Sequence, residues 1–201
     1  MAFYNNAANN THDHRNFTAQ RHNVLNANVT EGVLQAVNAV LNDLRENTNV
    51  TERFVNGRGT NDTSETPRNF LPVSGQPYMS RLRPAYVHSA SATQNANGTF
   101  TINIRMNDES FRALTGVPHR HDTVMDTLDV DWNDLPLTVH EETMAHIRGA
   151  TIRAVVSPDG QLLQSLHIDQ PVEVRGQVQA VFWLNIAVTG YWRQNITFTY
   201  H

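Results

Sequence analysis

Residues 99–106 read Thr-Phe-Thr-Ile-Asn-Ile-Arg-Met, and this stretch decides the fold class. Its apolar and polar side chains alternate, which is the period of a β-strand with one buried face. Asn97 and Gly98 stand immediately upstream, and an Asn-Gly pair favours the tight turn of a β-hairpin. The preceding stretch 85–93 is long enough to form the first strand. We therefore predict an antiparallel hairpin in the middle of the chain.

The same features recur toward the C-terminus. Residues 157–160 spell Ser-Pro-Asp-Gly, a strong turn sequence, between strand-like stretches at 150–156 and 161–169. Further strands are predicted at 128–132, 135–140, 172–175, 181–188 and 192–200, and one helical turn at 109–114. Turn signals every ~10 residues are typical of all-β domains. The sequence thus predicts a mostly β protein in which residues 84–201 form an antiparallel β-sandwich or jelly-roll-like body.

The first 83 residues are more polar and predict appendages to that body. Residues 1–27 carry few bulky apolar side chains, so we expect a flexible arm that cannot bury enough surface to order itself. Residues 28–46 predict an amphipathic helix, whose apolar face would carry Val33, Leu34, Val37, Val40, Leu41 and Leu44. Residues 47–83 are rich in turn formers and predict a long loop, anchored by aromatic side chains such as Phe54 and Phe70.

The composition excludes several functional classes. Fifteen basic residues, all of them arginine, stand against nineteen acidic ones, and the net charge is −4. That balance provides no electrostatic footprint for a nucleic-acid backbone, so we expect no nucleic-acid binding. The absence of cysteine excludes disulfides, thiolate metal ligands and cysteine nucleophiles. No signal-peptide pattern or bilayer-length apolar run is found, so we expect no membrane contact, while a virion or an extracellular assembly remains open as a location.

The best candidate for a metal site is the stretch Pro118-His119-Arg120-His121-Asp122 together with Asp126. On an extended strand His119 and His121 would point to the same side, where two imidazoles and a carboxylate can bind one divalent cation. The arrangement loosely resembles the first motif of the cupins, although Asp126 stands where that motif has a glutamate. The resemblance implies a small metalloprotein, and a polar histidine-rich loop is the alternative.

Tyr191 and Arg193 are the predicted interface residues. Aromatic and arginine side chains are enriched at the energetic centres of protein interfaces, and these two flank Trp192, the first residue of the last predicted strand. We expect the inward-facing tryptophan of this region to fill the core instead, because a β body needs large buried side chains.

No stretch of the chain carries a phosphate-binding loop, a nucleophile elbow or another catalytic signature, so we predict no enzyme activity and no cofactor beyond the metal candidate. A polar arm, a helix, an anchored loop and a β body are together typical of subunits that contact copies of themselves. The first hypothesis is therefore a structural, self-assembling homo-oligomer, such as a virion coat or filament component. Two alternatives stay open: a cupin-like metalloprotein using His119 and His121, and a sandwich module that binds carbohydrate or protein.

Overall fold

The computed structural model describes residues 1–31, 42, 45–70, 79–125, 138–179 and 183–201. These ranges contain helix α1 (Ala2–Asp13), the single turn α2 (Pro67–Phe70), and 3-10 turns at Pro84–Tyr86 and His121–Thr123. The strands are β1 (Phe17–Glu31), β2 (Glu46–Val55), β3 (Arg58–Gly59), β4 (Val87–Gln94), β5 (Phe100–Met106), β6 (Glu109–Arg112), β7 (Thr138–Val139), β8 (Met144–Ile147), β9 (Thr151–Val156), β10 (Leu163–Gln179) and β11 (Trp183–Tyr200).

The strands join into one sheet with the order β3-β2-β1-β11-β10-β9-β5-β4, and neighbouring strands are antiparallel. β10 is long enough for two sets of neighbours: its part before Pro171 pairs with β9, and its part after Pro171 pairs with β8 and β7. β6 pairs in turn with β8. The prediction of a mostly β, antiparallel protein is confirmed, while its division into the two sheets of a sandwich stays a prediction.

Both predicted hairpins are present. β4 and β5 pair as far as Gln94 opposite Phe100, and the N–H of Gly98 donates to the Asn95 carbonyl at 2.9 Å to close the turn. Gly98 has a φ of 83°, and Gly160, in the turn between β9 and β10, has a φ of 76°. Glycine adopts this left-handed backbone without the steric cost of a Cβ atom, which is why each turn has one at this point.

The expectation of a flexible arm over residues 1–27 is wrong, because both halves of this segment are part of the fold. The first half is α1, whose Tyr4 and Ala7 are buried in the core. The second half belongs to β1, which pairs with β11 on one side and with β2 on the other. β1 forms hydrogen bonds with two neighbouring strands and buries Phe17 and Ala19. These contacts offset the conformational entropy that the segment loses on ordering, which its polar composition alone would not do.

The helix expected over residues 28–46 is wrong at both of its ends. Residues 28–31 continue β1, since they pair with β11, and Glu46 is the first residue of β2. The apolar face expected between them lies at 32–41 and 43–44, outside the described residues.

The loop expected over residues 47–83 is shorter than predicted. The chain remains in β2 as far as Val55, because Phe54 and Glu52 turn their side chains inward beside β1. Phe70 is buried, as its predicted role of anchor requires. Residues 71–78 lie outside the described part of the chain.

Three other expectations concern the β body. The helical turn expected at 109–114 is wrong, because residues 109–112 form β6 and pair with β8. The strands expected at 181–188 and 192–200 are, as far as they are described, one continuous strand, β11. The strand expected at 128–132 lies outside the described residues.

The core lies between one face of the sheet and a cover made of α1, α2 and residues 79–82. Its largest fully buried apolar side chains are Tyr4, Phe17, Phe54, Phe70, Met106, Met125, Ile152, Leu163, Ile168 and Ile196. Asn5 fastens the cover: its Oδ1 accepts hydrogen bonds from the Leu82 N–H at 3.1 Å and the Ser80 hydroxyl at 2.7 Å, and its Nδ2 donates to the Leu82 carbonyl at 3.0 Å. Most of the apolar side of the alternating strands is buried here.

The opposite face of the sheet, called the outer face below, is polar. One row of register partners crosses it from β2 to β4 and consists of Asn49, His22, Asn195, His167, Arg153, Asn103 and Ser91. Polar side chains remain hydrated on such a face at no desolvation cost. None of the helices in the described ranges is long and apolar enough to cross a membrane.

Candidate functional site

The predicted metal ligands His119 and His121 do not lie on an extended strand. Arg120 between them has helical backbone angles, and the Asp122 N–H donates to the Pro118 carbonyl at 2.9 Å, which closes a turn. His119 is exposed whereas His121 is fully buried. The expectation that both imidazoles share one side of a strand is therefore wrong, because the chain turns at this point.

Glu109 on β6 binds the buried imidazole instead. Its Oε2 lies 2.8 Å from His121 Nδ1, and it also accepts the backbone N–H groups of Arg120 at 2.9 Å and His121 at 3.3 Å. Burial opposes ionisation of this carboxyl, but these hydrogen bonds outweigh it, so the pKa of Glu109 lies below its usual value. No motif marks Glu109 in the sequence, because the contact forms only when β6 and the turn around His121 meet in the fold.

Asp126, the third predicted ligand, lies outside the described residues. Within the described ranges, no group of three histidine, aspartate or glutamate side chains is placed to hold a metal ion. His121 Nδ1 already has a carboxylate partner, which leaves only its buried Nε2 without a hydrogen bond. The metal site stays a prediction. The two imidazoles lie on a turn, whereas the prediction assumed that they lie on one side of an extended strand.

The predicted interface residues Tyr191 and Arg193 lie together on the outer face of β11. The Arg193 guanidinium stacks 4.1 Å from the centre of the Tyr191 ring, and its Nε donates to Asp169 Oδ1 at 3.0 Å. The two contacts hold the arginine flat against the sheet. Of the tryptophans nearby, Trp192 faces inward and is half-buried, whereas Trp183 is 43% exposed beside His140.

The most unusual surface feature is β4, at one end of the sheet. It pairs with β5 on one side, and no described strand lies on the other. Every side chain from His88 to Gln94 is exposed, so both faces of this strand are open as well as its edge. The sequence predicted the strand but not its place at the end of the sheet, which follows from the pairing of β5 with β9.

Comparisons with protein-family models, curated proteins and solved structures found no significant match. The candidate sites are therefore weighed on their own geometry and chemistry.

Proposed function

We propose that this protein is a structural, self-assembling subunit, such as a virion coat or filament component, with no catalytic role. The open edge of β4 is the observation that supports this best. A strand at the end of a sheet presents a row of unpaired N–H and C=O groups, which readily pair with a strand of another chain.

β4 lacks the features with which monomeric proteins protect such an edge. Its sequence, Val-His-Ser-Ala-Ser-Ala-Thr-Gln, contains no proline and no acidic residue, lysine or arginine. The small side chains of residues 89–92 leave room for a second strand. The one register irregularity falls between Val87 and Ser89, at the start of the strand, so the remainder is regular.

Two copies can pair β4 with β4 about a two-fold axis. The pairing would be antiparallel, like that of the sheet neighbours within the subunit, and would join two sheets edge to edge. The local axis of an antiparallel pair is perpendicular to the sheet, so the two outer faces would lie on the same side. Tyr191 and Arg193 of both copies would then be available for further contacts on one continuous surface.

A filament or shell needs a second contact, and β2 offers one. β3 pairs with Phe54 and Val55 of β2, and Thr60 and Asn61 donate to the carbonyls of Arg53 and Thr51, so residues 46–50 form another open edge among the described strands. Pairing this edge with β4 of the next copy would be a heterologous contact, which propagates instead of closing. The two ends of the sheet thus support both a two-fold pair and a longer assembly.

Light scattering coupled to size-exclusion chromatography, at tens of micromolar protein, tests this proposal. We expect a mass above the 22.7 kDa of one chain. Ala92→Lys places a charge on the exposed edge strand and should shift the protein toward the monomer. Ala96→Lys adds the same charge in the exposed turn beyond β4 and should leave the assembly unchanged.

A wild-type protein that is strictly monomeric at this concentration would contradict the proposal. So would an assembly that Ala92→Lys and Ala96→Lys weaken equally, because β4 would then have no special part in it. Electron micrographs of concentrated protein distinguish closed particles from filaments.

A further inference from the structure

A shallow groove lies on the outer face, where β4, β5, β9 and β10 run side by side. Its volume is about 410 Å³, which is within the range of small-ligand sites. The polar side chains that matter for the argument below are those of Ser89, Ser91, Asn103, Arg105, Arg153 and His167. Neither the metal candidate nor the Tyr191–Arg193 pair lines this groove.

The groove contains two arginines that have no carboxylate partner among the described residues. Arg105 and Arg153 are both exposed, and no described acidic side chain lies within ion-pair distance of either. The nearest acidic residue in the register is Asp169, and Arg193 already binds it. The groove is therefore locally positive in a chain whose net charge is −4.

The register places both arginines on the outer face of adjacent strands, β5 and β9. Asn103 lies opposite Arg153 and Arg105 lies opposite Thr151, so the arginines are diagonal neighbours on adjacent strands. Diagonal neighbours have Cα atoms ~7–8 Å apart, within reach of side chains this long. An anion that both guanidinium groups reach would accept charge-assisted hydrogen bonds from each.

Neutral hydrogen-bonding groups surround the two charges. Ser89 and Ser91 present hydroxyls on β4, opposite Arg105 and Asn103, and Asn103 presents an amide between Ser91 and Arg153. On β10, the strand on the other side of β9, His167 lies opposite Arg153. Its Nδ1 is hydrogen-bonded to Asn195 Oδ1. A ligand that carries both an anionic group and several hydroxyls would satisfy this set.

We propose that this groove binds an acidic saccharide, whose carboxylate or sulfate lies between Arg105 and Arg153 and whose hydroxyls contact Ser89, Ser91 and Asn103. A sugar is favoured over a nucleic acid for two reasons. The described lining of the groove contains no phenylalanine, tyrosine or tryptophan on which bases could stack, and the overall negative charge opposes a long polyanion. The proposal does not depend on assembly through β4, because the four strands belong to one chain.

Isothermal titration calorimetry tests this with trigalacturonic acid, which carries only carboxylates, and with a κ-carrageenan tetrasaccharide, which carries only sulfates, and so separates the two anionic groups. Fully methyl-esterified trigalacturonic acid is the uncharged control and should not bind. We expect Arg153→Gln and Arg105→Gln each to weaken binding of the acidic sugar about tenfold, as the loss of one charge-assisted contact implies. Arg58→Gln removes an equally exposed arginine on β3 and should leave affinity and unfolding temperature unchanged.

Three results would overturn the proposal. The first is no binding of either acidic sugar at millimolar concentration. The second is binding that Arg105→Gln and Arg153→Gln leave intact in variants with wild-type unfolding temperatures. The third is equally tight binding of a single-stranded oligonucleotide with the same sensitivity to both substitutions, which would make the groove a general polyanion surface.

Discussion

Glu109 Oε2 lies 2.8 Å from Nδ1 of His121, whose side chain is fully buried. The same carboxylate accepts the backbone N–H groups of Arg120 and His121, so one strand residue holds the whole turn. We expect Glu109→Gln to lower the free energy of unfolding by about 1–3 kcal/mol, the range for a buried charged hydrogen bond. Urea denaturation at neutral pH measures this change.

Glu142→Gln is the matched control for that substitution. Glu142 pairs with Arg112 at the surface, where the two side chains are 60% and 50% exposed. Such pairs contribute only about 0–1 kcal/mol. Equal losses in the two variants would show that Glu109 does not hold the turn.

The contribution of Glu109 should depend on pH. The pKa of Glu109 is lowered in the folded protein, since the hydrogen bonds it accepts outweigh the effect of burial. A carboxyl group with a lowered pKa stabilises the folded state when the pH is above the ordinary carboxyl pKa. This stabilisation is lost as the pH falls through the lowered pKa. The stability difference between wild type and Glu109→Gln should therefore shrink in acid. A difference that stays constant from neutral pH to roughly pH 3 would contradict the assignment.

Gly190 allows β1 and β11 to approach each other closely. A Cβ atom at this position would lie 2.4 Å from the Asn26 carbonyl oxygen and 3.1 Å from Ala27 Cα, both of them backbone atoms. We expect Gly190→Ala to lower the free energy of unfolding by about 1–3 kcal/mol or more, because the strands must move apart. Thr199→Ala, at an exposed position of the same strand pair, should cost about 1 kcal/mol or less. Thermal unfolding followed by circular dichroism compares the two, and similar losses would refute the close approach.

The Tyr200 hydroxyl connects the last strand to α1. It donates to the Leu163 carbonyl and lies 3.2 Å from Thr11 Oγ1. We expect Tyr200→Phe to lower the free energy of unfolding at neutral pH by about 1 kcal/mol, the value of a typical hydrogen bond. Tyr191→Phe, on the half-exposed outer face, is the control and should change little.

The same hydroxyl predicts a loss of stability in alkali. Burial raises the pKa of Tyr200 to about 12, against 10.0 for an ordinary tyrosine. A raised pKa stabilises the folded state fully below the unfolded value, and this contribution is lost as the pH rises toward the folded value. Between pH 10 and 12 the wild type should therefore lose more stability than Tyr200→Phe. Parallel losses would mean that Tyr200 does not titrate in this way.

Asn5 fastens α1 to residues 80–82 through three hydrogen bonds. We expect Asn5→Ala to speed amide hydrogen exchange throughout α1, while Asn6→Ala, at an exposed position of the same helix, should not. Hydrogen exchange followed by mass spectrometry measures both variants. Rapid amide exchange throughout α1 in the wild type would contradict an ordered α1 and would support the flexible arm expected from the polar composition.

Local patterns determined the β character of the chain. The alternation from Phe100 to Met106, the Asn-Gly turn at 97–98 and the Ser-Pro-Asp-Gly turn at 157–160 each act over a few residues, so their strands and faces were predictable. Tyr191 and Arg193 were chosen for their residue types, and the structure places them on the same face of β11. Their part in an interface stays a prediction.

Tertiary structure alone decided how these elements meet. β1 is ordered because β11 and β2 pair with it on either side. α1 is held in place because Asn5 forms hydrogen bonds with Ser80 and Leu82. The exposure of β4 and the diagonal placement of Arg105 and Arg153 likewise depend on which strands become neighbours, and the Glu109–His121 contact depends on β6 meeting the turn around His121. Periodicity and turn chemistry act over a few residues, whereas strand order is set by contacts between distant segments. The sequence by itself therefore determined the strands and their faces, and the packed sheet decided the sites.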